Sequence, residues 1–260
     1  MNKVVKSIIF TVLAAFIVFG AVACKKSEQA APANTDAAPQ EAAPLYVGTN
    51  AEFEPFEYLD NGEIVGFDID LINEIGKLIG REIVIKNIAF DGLLPAMQQR
   101  KLDIVIAGMT ANDERRKSVN FSTPYFVSKQ AMLVDKDNKD ITVFDNLPGH
   151  KVGVVLGYTG DVIVTEIEGV DVQRYNGSSE AVMALKAKKV DAVVIDYEPA
   201  KNYAKYNDTL KLLETDLAQE EYSIAIPKDE PELLEQINKA LQTLKDNGTY
   251  DALIQKYFNK

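Results

Sequence analysis

An α/β fold of two similar lobes is predicted by three features of the sequence. From Leu45 onward, short apolar runs alternate with stretches of helical periodicity, the pattern of parallel sheets covered by helices on both faces. A comparable series restarts at Lys151, and "RKLDIVIAG" (100–108) is echoed by "KKVDAVVID" (188–196). Two further runs, "KQAMLVDKD" (129–137) and "EEYSIAIPKD" (220–229), read as strands at the transitions between the series. If both are crossings, the C-terminal segment returns to complete the first lobe. The expected division is 45–133 with 223–260 for lobe one and 134–222 for lobe two, joined by two hinge strands.

Ahead of the folded body, residues 1–23 read as a signal peptide: Lys3 and Lys6 precede an uncharged apolar run from Ile8 that ends in small residues. That run is shorter than the roughly 20 residues of a spanning helix. The junction "AVAC" resembles a bacterial lipoprotein cleavage site, which would make Cys24 the lipidated first residue of the mature chain. Residues 25–44, "KKSEQAAPANTDAAPQEAAP", hold no aromatic or branched aliphatic side chain to bury and read as a disordered tether. At about 3.1 Å per residue, an extended tether would reach about 60 Å from a membrane.

Within the body, "LYVGT" (45–49) reads as the first strand. Leu71, Ile72, Ile75, Leu78 and Ile79 then recur at helical spacing up to Gly80. "EIVIKNI" (82–88) is the second strand, and Asp91 is the expected N-cap of a helix through Gln99, with Pro95 in its first turn. "LDIVIAG" (102–108) is apolar enough for a strand buried on both faces. The second series runs through the strand "KVGVV" (151–155), the helix "AVMALKA" and the buried strand "VDAVVI" (190–195). Leu233, Ile237, Leu241 and Leu244 mark a long helix near the end.

Composition excludes several functions. The formal net charge is −11, and the leader holds two lysines and no acid, so its removal leaves the body more negative still. Nucleic acid, which requires basic surface, is not expected as a partner. Cys24 is the only cysteine, so neither an internal disulfide nor a cysteine-rich metal site can form. The one histidine, His150, falls in the turn "NLPGHK" and reads as a loop residue. No catalytic cluster, metal site or cofactor motif emerges.

In open α/β sheets, ligands sit beyond the carboxyl ends of the strands. Phe53 and Phe90 both follow strands at that edge, where two rings could sandwich a flexible side chain. In "GMTANDERRK" (108–117), Thr110 and Asp113 match a capping box, yet Arg115 opposes the dipole of its own helix. Free amides, the Thr110 hydroxyl and the Arg115 fork would together receive a carboxylate. "LGYTGD" (156–161) again offers amides at a Gly-rich turn. Asp196 reads either as an N-cap for the helix from Tyr197 or as the acceptor for an ammonium group.

"VGTNAEFEPFEY", "GEIVGFDIDL", "AFDGLLPAMQQRKLDIVIAGMTANDERRK", "FSTPYF", "VDAVVID" and "NGTYDALIQKYF" follow one another in fixed order. In these stretches the chain from Leu45 to Phe258 resembles the polar amino-acid solute-binding proteins of bacterial ABC importers, which have the type II periplasmic-binding-protein fold. The resemblance implies a carboxylate clamp at Arg115, assisted by Gly108, Thr110, Thr159 and Gly160, and an amino-group acceptor at Asp196. It implies aromatic walls at Phe53 and Phe90, with Met109, Leu156 and Tyr158 in the same lining. Asn50 departs from the aspartate common at its position, and Leu156 from the lysine of glutamine binders. With Glu52 and Asp91 leaving the side-chain end acidic, arginine or lysine is the expected ligand.

What is then expected is a monomeric extracytoplasmic lipoprotein that delivers an amino acid to an ABC permease and touches the membrane through its anchor. Two other readings use the same fold: a dehydratase acting on prephenate or arogenate, which needs a carboxyl general acid in the cleft, and a sensory receptor.

Overall fold

A computed structural model describes residues 43–215, 217 and 219–259. The leader, Cys24 and nearly all of the tether lie outside these residues. The chain runs β1 (Leu45–Thr49), β2 (Glu52–Phe53), β3 (Glu57–Asp60), β4 (Glu63–Val65), α1 (Phe67–Ile79), β5 (Ile83–Asn87), α2 (Phe90–Gln98), β6 (Ile104–Val105), α3 (Asp113–Ser118) and β7 (Val119–Phe121). It continues through β8 (Phe126–Ser128), β9 (Gln130–Asp135), β10 (Lys151–Val155), α4 (Thr159–Thr165), β11 (Asp171–Tyr175), α5 (Ser178–Lys186), β12 (Ala192–Asp196), α6 (Tyr197–Lys205) and β13 (Leu210–Glu214). The return is β14 (Glu220–Tyr222), β15 (Ala225–Pro227), α7 (Pro231–Asp246) and α8 (Thr249–Phe258).

The two main sheets are built alike. The first has the order β5-β1-β6-β15-β7 and the second β11-β10-β12-β9-β13. In each, the opening strand sits between two parallel neighbours, and antiparallel strands complete the far side. The sequence echo falls on the equivalent strands β6 and β12, and it has a local cause. Asp103 Oδ2 accepts the amide of Tyr46 at 2.8 Å, and Asp191 Oδ2 accepts that of Lys151 at the same distance. Each aspartate also returns its own amide to the carbonyl of the residue it binds. The carboxylate supplies an acceptor at the start of the neighbouring strand that the ladder does not reach.

Alternation along the second sheet explains why its strands are wholly apolar. Met132, Val134, Val152, Val154, Ala192 and Val194 face one apolar cluster, while Ala131, Leu133, Val155, Val193 and Ile195 face the other, larger one. The long helix α7 buries Leu233, Ile237, Leu241 and Leu244 on one face, as expected. In α1, Leu71, Ile72 and Ile75 are buried, but Leu78 lies exposed at the far edge of the stripe.

Several expected boundaries move. The crossings are β8 and β14, which pair with each other, and all of β9 lies in the second sheet, so a division after Leu133 would cut that strand. "LDIVIAG" keeps only Ile104 and Val105 in the ladder. Helix α2 starts one residue before Asp91, with Ala89 as N-cap, which moves Pro95 out of the first turn. For α3 the cap is Asn112, whose Oδ1 accepts the amide of Arg115 at 2.9 Å. Thr110 is instead held in a bridge to Tyr222.

Candidate functional site

The carboxyl ends of β1, β6, β10 and β12 converge where the lobes meet, and the segments that follow them are Asn50, Gly108–Thr110, Leu156–Gly160 and Asp196. Gly108 opens the second of these at φ +51°. A Cβ at this position would run into the ring of Phe53, so glycine alone allows ring and backbone to approach. Its amide donates to Asp68 Oδ2 at 2.9 Å, which also accepts from Tyr125 Oη at 2.7 Å. Burial pushes Asp68 up to about 6. Beside it, Glu57 is fully buried and no donor reaches either of its oxygens. Burial, then the Asp68 charge, push this carboxyl well above its ordinary range and favour its protonated form.

Arg115 turns away from its helix and toward the second lobe. Nη1 donates to the carbonyl of Thr110 at 2.8 Å, and Nη2 to that of Gly157 at 2.9 Å. The guanidinium lies over the Phe90 ring at 5.1 Å from its centroid. Gly157 supports the contact with a left-handed backbone at φ +79°. Burial lowers the guanidinium pKa, and the charges of Asp196 and Glu220 oppose that. Two of five donor hydrogens are committed to these carbonyls.

Asp196, at the end of β12, is 3% exposed and stands at the N-cap position of α6, but its side chain makes no capping hydrogen bond. Its Oδ1 accepts from Tyr222 Oη at 2.5 Å. Burial first, and then the nearby Glu220 charge, push its pKa up to about 7, against the hydrogen bond from Tyr222 that pulls it down. Thr110 Oγ1 donates to Glu220 at 2.7 Å and accepts from Thr159 Oγ1 at 3.2 Å, a second contact between lobes. Gly160 is packed against Gln130 and the Val194 carbonyl.

The two phenylalanines do stand at one site, and Tyr158 lies in contact with both, its hydroxyl donating to Asn50 Oδ1 at 2.9 Å. Met109 lines the core beneath them. Other expected members are less buried. Leu156 is 37% exposed, and Asp91 is exposed as well. Glu52 accepts from Ser179 Oγ at 3.0 Å at the start of α5, across the lobe contact.

Sequence reading missed Glu220, Tyr222 and Gln130. Their segments were marked as crossing strands, but which of their side chains meet the cleft depends on the β8–β14 pairing and the Thr110–Tyr222 bridge. Among the described residues, no group of three or more His, Cys, Asp or Glu could hold a metal ion. None of their helices is long and apolar enough to cross a membrane.

Known proteins are similar to this chain in sequence and fold. A probable histidine-binding protein of Campylobacter jejuni is 37% identical over 97% of this chain and 98% of its own length. The arginine-binding extracellular protein ArtP of Bacillus subtilis is 33% identical over 97% of this chain and 98% of its own length. The structure of an ancestral arginine-binding protein bound to arginine superposes with a TM-score of 0.82 at 45% identity, covering 84% of this chain and 99% of that one. These relatives are named as amino-acid-binding proteins and not as enzymes, which goes against the dehydratase reading. Residues 45–260 match the bacterial extracellular solute-binding proteins, family 3, and the chain belongs to that family.

Proposed function

We propose that this protein captures an L-amino acid outside the cytoplasm by closing its two lobes on it, and delivers it to an ABC permease. The observation that carries the reading is that Arg115 and Asp196 are held at one lobe junction: Arg115 donates to the carbonyls of Thr110 and Gly157, and Asp196, at the end of β12, accepts from Tyr222, which bridges to Thr110. A fork for a carboxylate opposite an acceptor for an ammonium is the minimum receptor for an α-amino acid. Thr110, Gly108, Thr159 and Gly160 complete the clamp, Phe53 and Phe90 flank the side chain, and Asn50 meets its end. Closure turns on the paired segments β8 and β14, as in other hinge closures around ligands.

The ligand is basic: relatives named for histidine and arginine outnumber those named for cystine, and arginine and lysine fit the acidic balance of this chain. The protein works as a monomer, tethered by a lipid on Cys24 to the outer face of a membrane.

A thermal-shift screen of the purified protein against the twenty amino acids tests the reading, because a ligand that binds only the native state raises stability by mass action. A rise with basic amino acids is expected, and no shift with any amino acid would overturn the assignment. Loss of membrane association in Cys24→Ser tests the anchor; an unchanged membrane fraction would exclude it.

A further inference from the structure

Tyr158 comes from the second lobe, yet its side chain packs against two rings of the first. Its ring centroid lies 5.5 Å from that of Phe53, with the planes at 83°, and 4.5 Å from that of Phe90, at 64°. It is 4% exposed. Its hydroxyl ends on Asn50 Oδ1 at 2.9 Å, and Asn50 is oriented for this by its Nδ2, which donates to the Ile88 carbonyl at 3.2 Å. A flat group with a donor at its tip therefore fills an aromatic slot that ends on a fixed acceptor. One residue earlier, the Gly157 carbonyl takes one arm of the Arg115 fork. A single turn of the second lobe thus supplies partners to both halves of the site.

We propose that the Gly157–Tyr158 turn is an internal competitor for the amino-acid site, the phenol holding the side-chain slot and the Gly157 carbonyl one arm of the clamp, so that a ligand binds by displacing both. The proposal rests on the reading of the cleft given above. The phenol and a ligand side chain cannot both pack between Phe53 and Phe90. The apparent affinity is then reduced by the fraction of molecules whose slot is open. The competitor also states what can replace it. A guanidinium or an imidazole restores both the flat ring packing and the donor to Asn50, whereas an ammonium brings the donor and a cation–π contact but no flat face. Arginine and histidine should therefore displace Tyr158 better than lysine does.

The test is calorimetry of the wild-type chain and of Tyr158→Ala and Tyr158→Phe with arginine, histidine, lysine and glutamine, with thermal unfolding to establish that each variant is folded. With the slot open in about a tenth of wild-type molecules, Tyr158→Ala should bind arginine about tenfold more tightly. Tyr158→Phe keeps the ring and loses the Asn50 bond, so it should tighten by about fivefold or less. Should the alanine variant fail to fold, the phenylalanine variant carries the same prediction. Folded variants that bind as wild type does, or more weakly, would show that Tyr158 is a wall for the ligand and overturn the proposal, leaving the amino-acid reading intact. A wild-type chain and variants that bind none of the four would overturn both. Binding by Tyr158→Ala alone would support both.

Discussion

Arg115 Nη2 donates to the carbonyl oxygen of Gly157 at 2.9 Å, a hydrogen bond that joins the helix after β6 to the turn after β10 and so ties the two lobes together. Helix α3 is only six residues long and has Arg115 in its last turn, so the opposition to the helix dipole expected from the sequence does not arise. The side chain reaches carbonyl oxygens, with Asp196 and Glu220 near enough to favour its charge. The Thr110 carbonyl therefore holds one arm of the fork in place before any carboxylate meets it, while the Gly157 carbonyl occupies the arm that a ligand takes over.

Replacing Arg115 with alanine should abolish amino-acid binding. A charge-assisted hydrogen bond contributes about 1.5–3 kcal/mol, so loss of a two-pronged contact weakens binding by at least a hundredfold. Arg115→Lys keeps the charge without the planar fork and should bind between the two. Calorimetry with arginine measures this directly. An alanine variant with wild-type affinity would remove Arg115 from the site.

Binding should strengthen as pH rises through neutrality. The ammonium acceptor must be ionised, and Asp196, pushed up to about 7 by burial and the Glu220 charge, is only about one-tenth ionised near pH 6. Affinity for arginine should be about tenfold lower at pH 6 than at pH 8. Tyr222→Phe removes a hydrogen bond that favours the ionised form, so its profile should move to higher pH. A flat profile from pH 6 to 8 would exclude Asp196 as the acceptor.

Glu57 makes a separate prediction about stability. Its pKa is raised in the folded protein, so above the ordinary glutamate value the native state keeps a larger share of this proton than the unfolded state does. Stability changes with pH as protons bound by the unfolded state minus those bound by the native state, a negative difference here, so Glu57 contributes a fall in stability as pH rises from about 4.5. Glu57→Gln removes that slope. In urea unfolding, the variant should gain on wild type between pH 4.5 and pH 7.5. An identical pH dependence would mean that Glu57 is ionised in the folded protein.

How much of this was readable from the sequence follows from how local each cause is. The strands "LYVGT" and "KVGVV" and the repeated aspartate at 103 and 191 are set by short-range pattern, and each lies where the pattern puts it. Arg115 and Asp196 were legible because a strand end in an α/β sheet is already a place for ligands. Asn112 was passed over as the cap because Thr110, Asn112 and Asp113 can all cap, and only the Tyr222 bridge decides among them. Glu220 and Tyr222 enter the site by tertiary pairing alone, some 100 residues from Thr110 and Arg115 in sequence. Tyr158 was identified as a lining residue, but its position against Phe53 and Phe90 needs two lobes in contact, which no local spacing encodes.

Gly108 separates two costs that a glycine substitution usually mixes. Both Gly108 and Gly62 have positive φ, +51° and +87°, so an alanine at either meets the left-handed penalty of about 1 kcal/mol. At Gly62 nothing lies within 4 Å of an added Cβ, whereas at Gly108 the Cβ would overlap the Phe53 ring. That ring is buried and packed against Phe56, Tyr158 and Tyr222, so it has little room to yield. Overpacking of this kind adds about 1–3 kcal/mol. Gly108→Ala should therefore lower the urea midpoint well below that of Gly62→Ala, with the same slope for both, and it should also weaken arginine binding by shifting a wall of the slot. Equal losses at the two positions would show that Phe53 moves freely and does not define the site.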